Sequence, residues 1–394
     1  MEQIKKPRYY LVDYLLLLFI ILWSGGGFTF GYWSHWCFFL LPILIILFFN
    51  RRCNINYKEI LFIGVLTVWQ MLQCANFGQP LINVIHPITN IICVCIITKI
   101  LKGKFTFLFV RICVFFAFVS LVIWTISLIP AVYSKLYTIA LKLPHLGFEN
   151  IINVDGHTGI HTLYFFSYSD YGITFRNYGP FWEPGRFTIF LVIALCINTF
   201  KYKEKILSFR NLILILTNIT TFSTTGYIAM FLYFILYIQY SNIRLRWKLI
   251  LIVVLGFSIP VISNLDFMSD KVQNEMEDTY RTSSRFGAIV YHMEQIEESP
   301  ILGFGSNLTV VYNELELSPN GWTALVRYWG IPISLVLLIL LFKGTSAYLK
   351  NNSKLICFGV GGIILTLAFT QTIMLSPFYY FLYFMAFDDE KNNF

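Results

Sequence analysis

Phe181-Trp182-Glu183-Pro184-Gly185-Arg186 leads into Phe187–Phe200, a run that is almost wholly apolar. The reading of this stretch decides the fold class. Proline suits the first position of a helix, where its missing N–H costs nothing. Glu183 suits the positive end of a helix dipole. The run after it is long and apolar enough to start a bilayer helix. Arg186 is out of place by the same logic, because a cation in the first turn opposes the dipole. Local stability does not account for it. Arg176 adds a second cation ten residues upstream.

The rest of the chain repeats the membrane signal. Hydrophobic residues make up 57% and charged residues 13%, with 39 Phe and 24 Tyr among 394 residues. A soluble domain carries roughly 25% charged residues, so the soluble enzyme classes are excluded, and the aromatic load suits interfacial belts. Apolar runs fall near 11–30, 36–49, 59–77, 81–98, 106–129, 186–200, 207–222, 225–240, 248–263, 322–342 and 355–374, with a weaker run at 377–387. At roughly 20 residues per span these predict an all-α polytopic membrane protein of about 11–12 transmembrane helices. The first run is too long for a signal-peptide core and has no small-residue cleavage site, so it reads as a span.

Cations recur at every second connection: Lys5/Lys6/Arg8, Arg51/Arg52/Lys58, Lys99/Lys102/Lys104, Lys201/Lys203/Lys205/Arg210, Arg244/Arg246/Lys248 and Lys343/Lys350/Lys354. The positive-inside rule then puts the N-terminus in the cytoplasm. The net charge of +8 needs no nucleic-acid partner, since topology uses most of it. The expected division is helices in 1–129, a long outer loop over 130–185, helices in 186–263, a second long outer loop over 264–321, and C-terminal helices in 322–394. The eight cysteines avoid both loops and form no Cys-x-x-Cys pair, so neither a disulfide framework nor a cysteine metal site is expected.

The first outer loop reads as irregular, rich in Gly, His and Tyr. His157 and His161 have helix-face spacing, but the glycines between them disfavour a helix and hence a zinc pair; they read as surface or sugar-contacting groups. The second loop contains a helix. Ser283 or Ser284 can cap it, Arg285 lies in its first turn, and Phe286, Ile289, Val290, Met293 and Ile296 recur at helical spacing. Pro300 and Gly303-Phe304-Gly305 end it. It reads as a helix lying in the interface. Arg281 and Arg285 again place cations at the wrong end of a dipole. Arg327 lies more than one turn inside the span after Asn320-Gly321, where a cation either functions or snorkels.

Three passages resemble the O-antigen polymerase/O-antigen ligase superfamily of bacterial envelope proteins, in particular the Wzy-type polysaccharide polymerases. They are Arg176-Asn-Tyr-Gly179-Pro-Phe-Trp-Glu183-Pro-Gly185-Arg186-Phe, Ser284-Arg285 through Ser299-Pro300-Ile-Leu-Gly303-Phe-Gly305, and Asn320-Gly321 followed by Gly330. Phe222-Ser-Thr-Thr-Gly226 is similar to the family's Ser/Thr-rich turn. Where ligases carry His before Asn320, this chain has Pro319, which turns the resemblance toward polymerases.

The resemblance implies a membrane glycosyltransferase of the bacterial cytoplasmic membrane, with no cofactor. Its substrate would be an oligosaccharide repeat unit on undecaprenyl pyrophosphate. Its partners would be membrane lipids and the chain-length regulator and flippase of the same pathway. A sugar hydroxyl would attack the anomeric carbon as pyrophosphate leaves, which calls for cations at the leaving group and a proton acceptor. Arg176, Arg186, Arg281 and Arg285 are the pyrophosphate candidates, Arg327 a deeper one, and Asn320 a further substrate contact. Arginine suits the task because its fork binds phosphate oxygens in pairs and stays charged. Glu183 is either the base or an ion-pair partner of Arg186 or Arg176. His157 and His161 are reserve bases. The competing readings are an O-antigen ligase-type transferase, a lipid-linked oligosaccharide flippase or transporter, and a structural envelope partner without chemistry.

Overall fold

The structure is a computed structural model that describes residues 10–26, 33–143, 160–169, 176–241, 246, 285–306, 320–349 and 352–388, with backbone alone at 33–36, 160, 169 and 285–288. The described residues are mostly helical. In chain order the helices are α1 Leu11–Trp23, α2 Trp33–Asn50, α3 Tyr57–Phe77, α4 Ile82–Ile100, α5 Phe105–Ser127, α6 Pro130–Lys142, α7 Pro184–Cys196, α8 Phe209–Thr220, α9 Thr224–Tyr240, α10 Arg285–Glu298, α11 Gly321–Tyr348, α12 Lys354–Phe369 and α13 Pro377–Met385. A π turn, Ile197–Lys201, extends α7. Among the described residues, five helices are long and apolar enough to cross a membrane: α3, α4, α5, α7 with its π turn, and α11.

Eleven of the twelve apolar runs fall on helices; the 248–263 run lies outside the described residues. Two runs are cut short. The 11–30 run leaves the helix after Trp23, and the 355–374 run after Phe369. The first outer loop is not wholly irregular either. It contains α6, which has Pro130 in its first turn and Lys142 in its last, and a hairpin in which β1 Ile160–Thr162 pairs antiparallel with β2 Ser167–Ser169.

Two helices are buried all round and lie at the centre. Every residue of α7 is buried, as are Phe378–Phe384 of α13. Their rings interlock: Phe181 stacks on Phe190 at 4.8 Å, Phe190 meets Phe378 at 4.9 Å, and Phe378 stacks on Phe109 at 5.3 Å.

The helix directions define two ends. At one, cations are matched by two buried acids and a half-buried one. Arg51 and Lys104 both pair with Asp13, Lys99 pairs with Glu59 at 2.6 Å and Asp388 at 3.0 Å, and Lys102 lies 3.4 Å from Asp388. The weak 377–387 run therefore reaches this end through Asp388, while Phe378 N donates to Ser24 Oγ just past the far end of α1. At that far end the helices fall short. At about 1.5 Å per residue, α1 and α12 span roughly 20 and 24 Å, less than the roughly 30 Å hydrocarbon layer. Set in a bilayer with the acid-matched end at one surface, the chain beyond them, Ser24–Gly26 and Thr370–Ser376, would lie below the opposite surface, forming a recess. Irregular backbone at such depth persists only where protein surrounds it or water reaches it.

Candidate functional site

The recess is built around Arg186. Its Nη1 donates to Ser24 O at 3.0 Å, Nε to Gln371 Oε1 at 3.2 Å and Nη2 to Thr372 Oγ1 at 3.3 Å. The guanidinium lies 4.9 Å from the Trp182 ring centroid, a cation–π distance. Both non-helical segments are thereby drawn onto one side chain, which is buried. Close packing enforces this: a Cβ on Gly25 would sit 2.6 Å from Arg186 Cδ. Glu183 supplies the backbone N-cap of α7 in extended conformation, but its carboxylate does not cap the helix. That half-buried carboxylate is an electrostatic neighbour of Arg186.

Arg176 is tied to the same region through threonines. Its Nε donates to Thr221 O at 3.1 Å, and Thr221 Oγ1 lies 3.1 Å from Thr188 Oγ1, half a turn beyond Arg186 on α7. In the Phe222–Gly226 turn, Thr225 donates to Thr370 Oγ1 at 2.7 Å, one residue before Gln371. The Ser/Thr-rich turn therefore joins the recess.

The third passage arrives from the other side of Gln371. Asn320 caps α11, its Oδ1 accepting from Trp322 N at 3.0 Å and Thr323 N at 3.1 Å. Gly321 packs directly on the Gln371 and Ala368 carbonyls, with no room for a side chain. Two turns on, α11 is broken at Gly330, whose φ of +72° is left-handed. The turn after α10 docks on that break. Phe304 N donates to Arg327 O at 2.8 Å, Gly305 N to Tyr328 O at 3.0 Å, and Ile331 N to Pro300 O at 2.8 Å. Carbonyls freed by the break are met from α3: Gln73 Nε2 donates to Tyr328 O at 2.7 Å and Trp69 Nε1 to Trp329 O at 3.0 Å. The Pro300–Gly305 and Gly330 motifs thus form one junction, and Arg327 sits beside it.

Arg327 is half-buried. Its Nε donates to Gln295 Oε1 of α10, and among the described residues Nη1 and Nη2 have no hydrogen-bond partner. One turn back on each helix, His292 Nδ1 lies 2.7 Å from Thr323 Oγ1. Burial first, and the Arg327 charge second, push His292 down to about 4. The buried face of α10 is thus His292, Gln295 and Ile296. Of the predicted apolar stripe, Val290 and Met293 are exposed and Ile296 is buried. The apolar residues on the outside suit lipid, and the polar ones face protein.

Beside the recess lies a cavity of about 320 Å³ lined by Trp23, His86, Asn90, Tyr328, Pro377 and Tyr380, among others. Its lining residues Trp23 and Tyr328 are next in the chain to Ser24 and Arg327.

Arg186 and Arg176 are linked through Thr188, Thr221 and the Thr370–Thr372 segment, with Glu183 beside Arg186, and Asn320 and Arg327 lie on α11, which meets that segment at Gly321. His161 is elsewhere. It is buried rather than at the surface, pairs with Tyr168 across the hairpin, and lies edge-on to Tyr137 at 5.4 Å in a small aromatic core under α6. His157 and Arg281 lie outside the described residues, and Arg285 is placed only as the first residue of α10. No group of three or more His, Cys, Asp or Glu able to hold a metal occurs among the described residues. The sequence reading missed Gln371, Thr372, His292, Gln295 and the α3 donors. Gln371 and Thr372 were hidden inside an apolar run. The signal for Gln70 and Gln73 was available: two glutamines one turn apart in a span need partners.

No family model matches the chain, and no curated protein or solved structure matches it either.

Proposed function

We propose that this chain is a polysaccharide polymerase of the bacterial cytoplasmic membrane. It joins oligosaccharide repeat units carried on undecaprenyl pyrophosphate at the outer face, as its resemblance to Wzy-type polymerases implies. One observation carries the reading. At the acid-matched end of the bundle, cations are paired with the buried carboxylates of Asp13 and Glu59 and the half-buried one of Asp388. At the opposite end, Arg176 and Arg327 are aimed by neutral oxygens that hold Nε, leaving the paired Nη edge for an anion. Arg186 is held differently, with Nε, Nη1 and Nη2 donating to the neutral oxygens of Gln371, Ser24 and Thr372.

Such bracing fixes a cation's position without cancelling its charge, which is what stabilising a departing pyrophosphate requires. In this reading Arg186 and Arg327 receive the pyrophosphate, with Arg176, Arg281 and Arg285 around it. Glu183, at the mouth of α7, takes the proton of the attacking hydroxyl. The recess lets the diphosphate sit where its lipid stays in the bilayer and its sugars reach outward.

The test is chain elongation from a purified lipid-linked repeat unit by protein in nanodiscs. Arg285→Ala and Glu183→Gln should lose elongation by roughly 100-fold or more, as expected for removing an electrostatic or acid–base contribution. Transfer of lipid-linked sugar across the bilayer with no elongation would instead support a flippase. Unchanged elongation in both variants would remove these residues from the active centre.

A further inference from the structure

We propose that His292 and Arg327 form a proton-coupled anion site, in which a phosphate or diphosphate group bound to Arg327 draws a proton onto His292. This rests on the reading of the arginine end as a diphosphate site, and it adds a proton to that binding step.

The geometry is specific. His292 and Gln295 lie three apart on one face of α10; Thr323 and Arg327 lie four apart on the facing side of α11. Residues so spaced stack one turn apart, roughly 5–6 Å between Cβ atoms. The imidazole and the guanidinium are therefore neighbours, each held by a neutral group on the opposite helix. Glu294, Glu297 and Glu298 of α10 are exposed, off the buried face that carries His292 and Gln295. Tyr291 lies beside the imidazole, with ring centroids 6.2 Å apart. From α11, the Tyr328 hydroxyl is turned to Gln70 and Ser306. Among the described side chains, the charge that His292 feels is that of Arg327.

A buried cation one turn from a half-buried one is repelled, so the imidazole is neutral while Arg327 stands alone. An anion on the Nη edge of Arg327 cancels the repulsion and adds an attraction. Protonation then becomes favourable, and the imidazolium supplies a second positive group to the anion. Thr323 fixes the ring through Nδ1 in either state, since its hydroxyl can donate or accept. Anion affinity should therefore rise as pH falls, with His292 as the sensor.

The experiment is isothermal titration of the full chain in nanodiscs with inorganic diphosphate, at about pH 6 and about pH 7.5, each in two buffers of different ionisation enthalpy. These pH values bracket the ordinary histidine value of about 6.5. Wild type should take up part of a proton per anion near pH 6, and bind up to about tenfold tighter per pH unit where uptake is complete. His292→Gln should lose that component, leaving only the protonation of diphosphate itself, and Arg327→Gln should weaken binding at both pH values.

Equal proton uptake in wild type and His292→Gln would overturn the proposal while leaving the diphosphate site standing. No diphosphate binding by wild type would overturn both. Should His292→Gln not fold, ¹⁵N NMR of the wild-type histidines decides. One of the six must change from neutral to imidazolium on adding diphosphate near pH 6, and a spectrum without that change refutes the coupling.

Discussion

Replacing Gly330 by alanine tests the junction that presents Arg327. The residue has φ +72°, and a Cβ there would overlap Ile301 O and lie 2.6 Å from Ile301 C and 3.0 Å from Leu302 C. Those atoms are backbone, so no side-chain rotation relieves the overlap. The left-handed conformation alone costs about 1–2 kcal/mol for a residue with a Cβ. Pushing the 300–305 turn away also breaks the three backbone hydrogen bonds that join it to α11, at about 1 kcal/mol each. The sum is about 4–5 kcal/mol, in the upper tail for a single substitution. At roughly 2 °C per kcal/mol for a large domain, Tm in nanodiscs should fall by roughly 8–10 °C. Gly362→Ala is the matched control, since a Cβ there meets nothing within 4 Å, and its Tm should hold or rise slightly because alanine is the better helix former. A Gly330→Ala protein that melts with the wild type would refute the junction.

Three other outcomes follow from the same geometry. Gly25→Ala places a Cβ 2.6 Å from Arg186 Cδ, so it should displace that side chain and reduce elongation by tenfold or more, about 1.4 kcal/mol of barrier, with a smaller loss of Tm; unchanged elongation would mean Arg186 need not be held there. Asp13→Ala leaves Arg51 and Lys104 without their buried carboxylate, and should destabilise by about 3–5 kcal/mol in thermal unfolding, whereas a loss below about 1 kcal/mol would mark the pairs as solvated. His292, held near 4 in the folded chain, should weaken the α10–α11 contact as pH falls. Its folded value lies below the unfolded one, so the stability is present above about pH 6.5 and is lost as pH drops through 4, by up to about 3 kcal/mol. The protection factor of the 289–298 amides, taken against the intrinsic exchange rate at each pH, should therefore fall over that window, and a pH-independent protection factor would contradict the buried neutral imidazole.

The sequence made the helices legible because a bilayer leaves few alternatives to a long apolar run. It also made the arginines legible, since Arg186 and Arg327 stand where neither dipole nor lipid favours a cation. What supports them was not legible. Gln371 and Thr372 interrupt a run that otherwise reads as one span. Their role depends on α12 stopping at Phe369, which only packing against Gly321 and Gly185 makes evident. The apolar stripe of α10 was legible, but the polar residues beside it that meet α11 were not. Here Val290 and Met293 are exposed, and His292 and Gln295 face α11. In a membrane protein lipid accepts the apolar side and the protein interior collects the polar one. The helix α6 was passed over because the Gly- and His-rich segment after it dominated the reading, although Pro130 and Lys142 mark its two ends.

The most direct measurement is photo-crosslinking with a polyprenyl pyrophosphate oligosaccharide bearing its reactive group beside the pyrophosphate. Peptides are mapped by mass spectrometry with and without excess inorganic diphosphate. The account predicts diphosphate-sensitive crosslinks in the segments holding Arg186, Gln371–Thr372 and Arg327. Crosslinks concentrated instead around Arg51, Lys99 and Lys104, or insensitive to diphosphate, would contradict it.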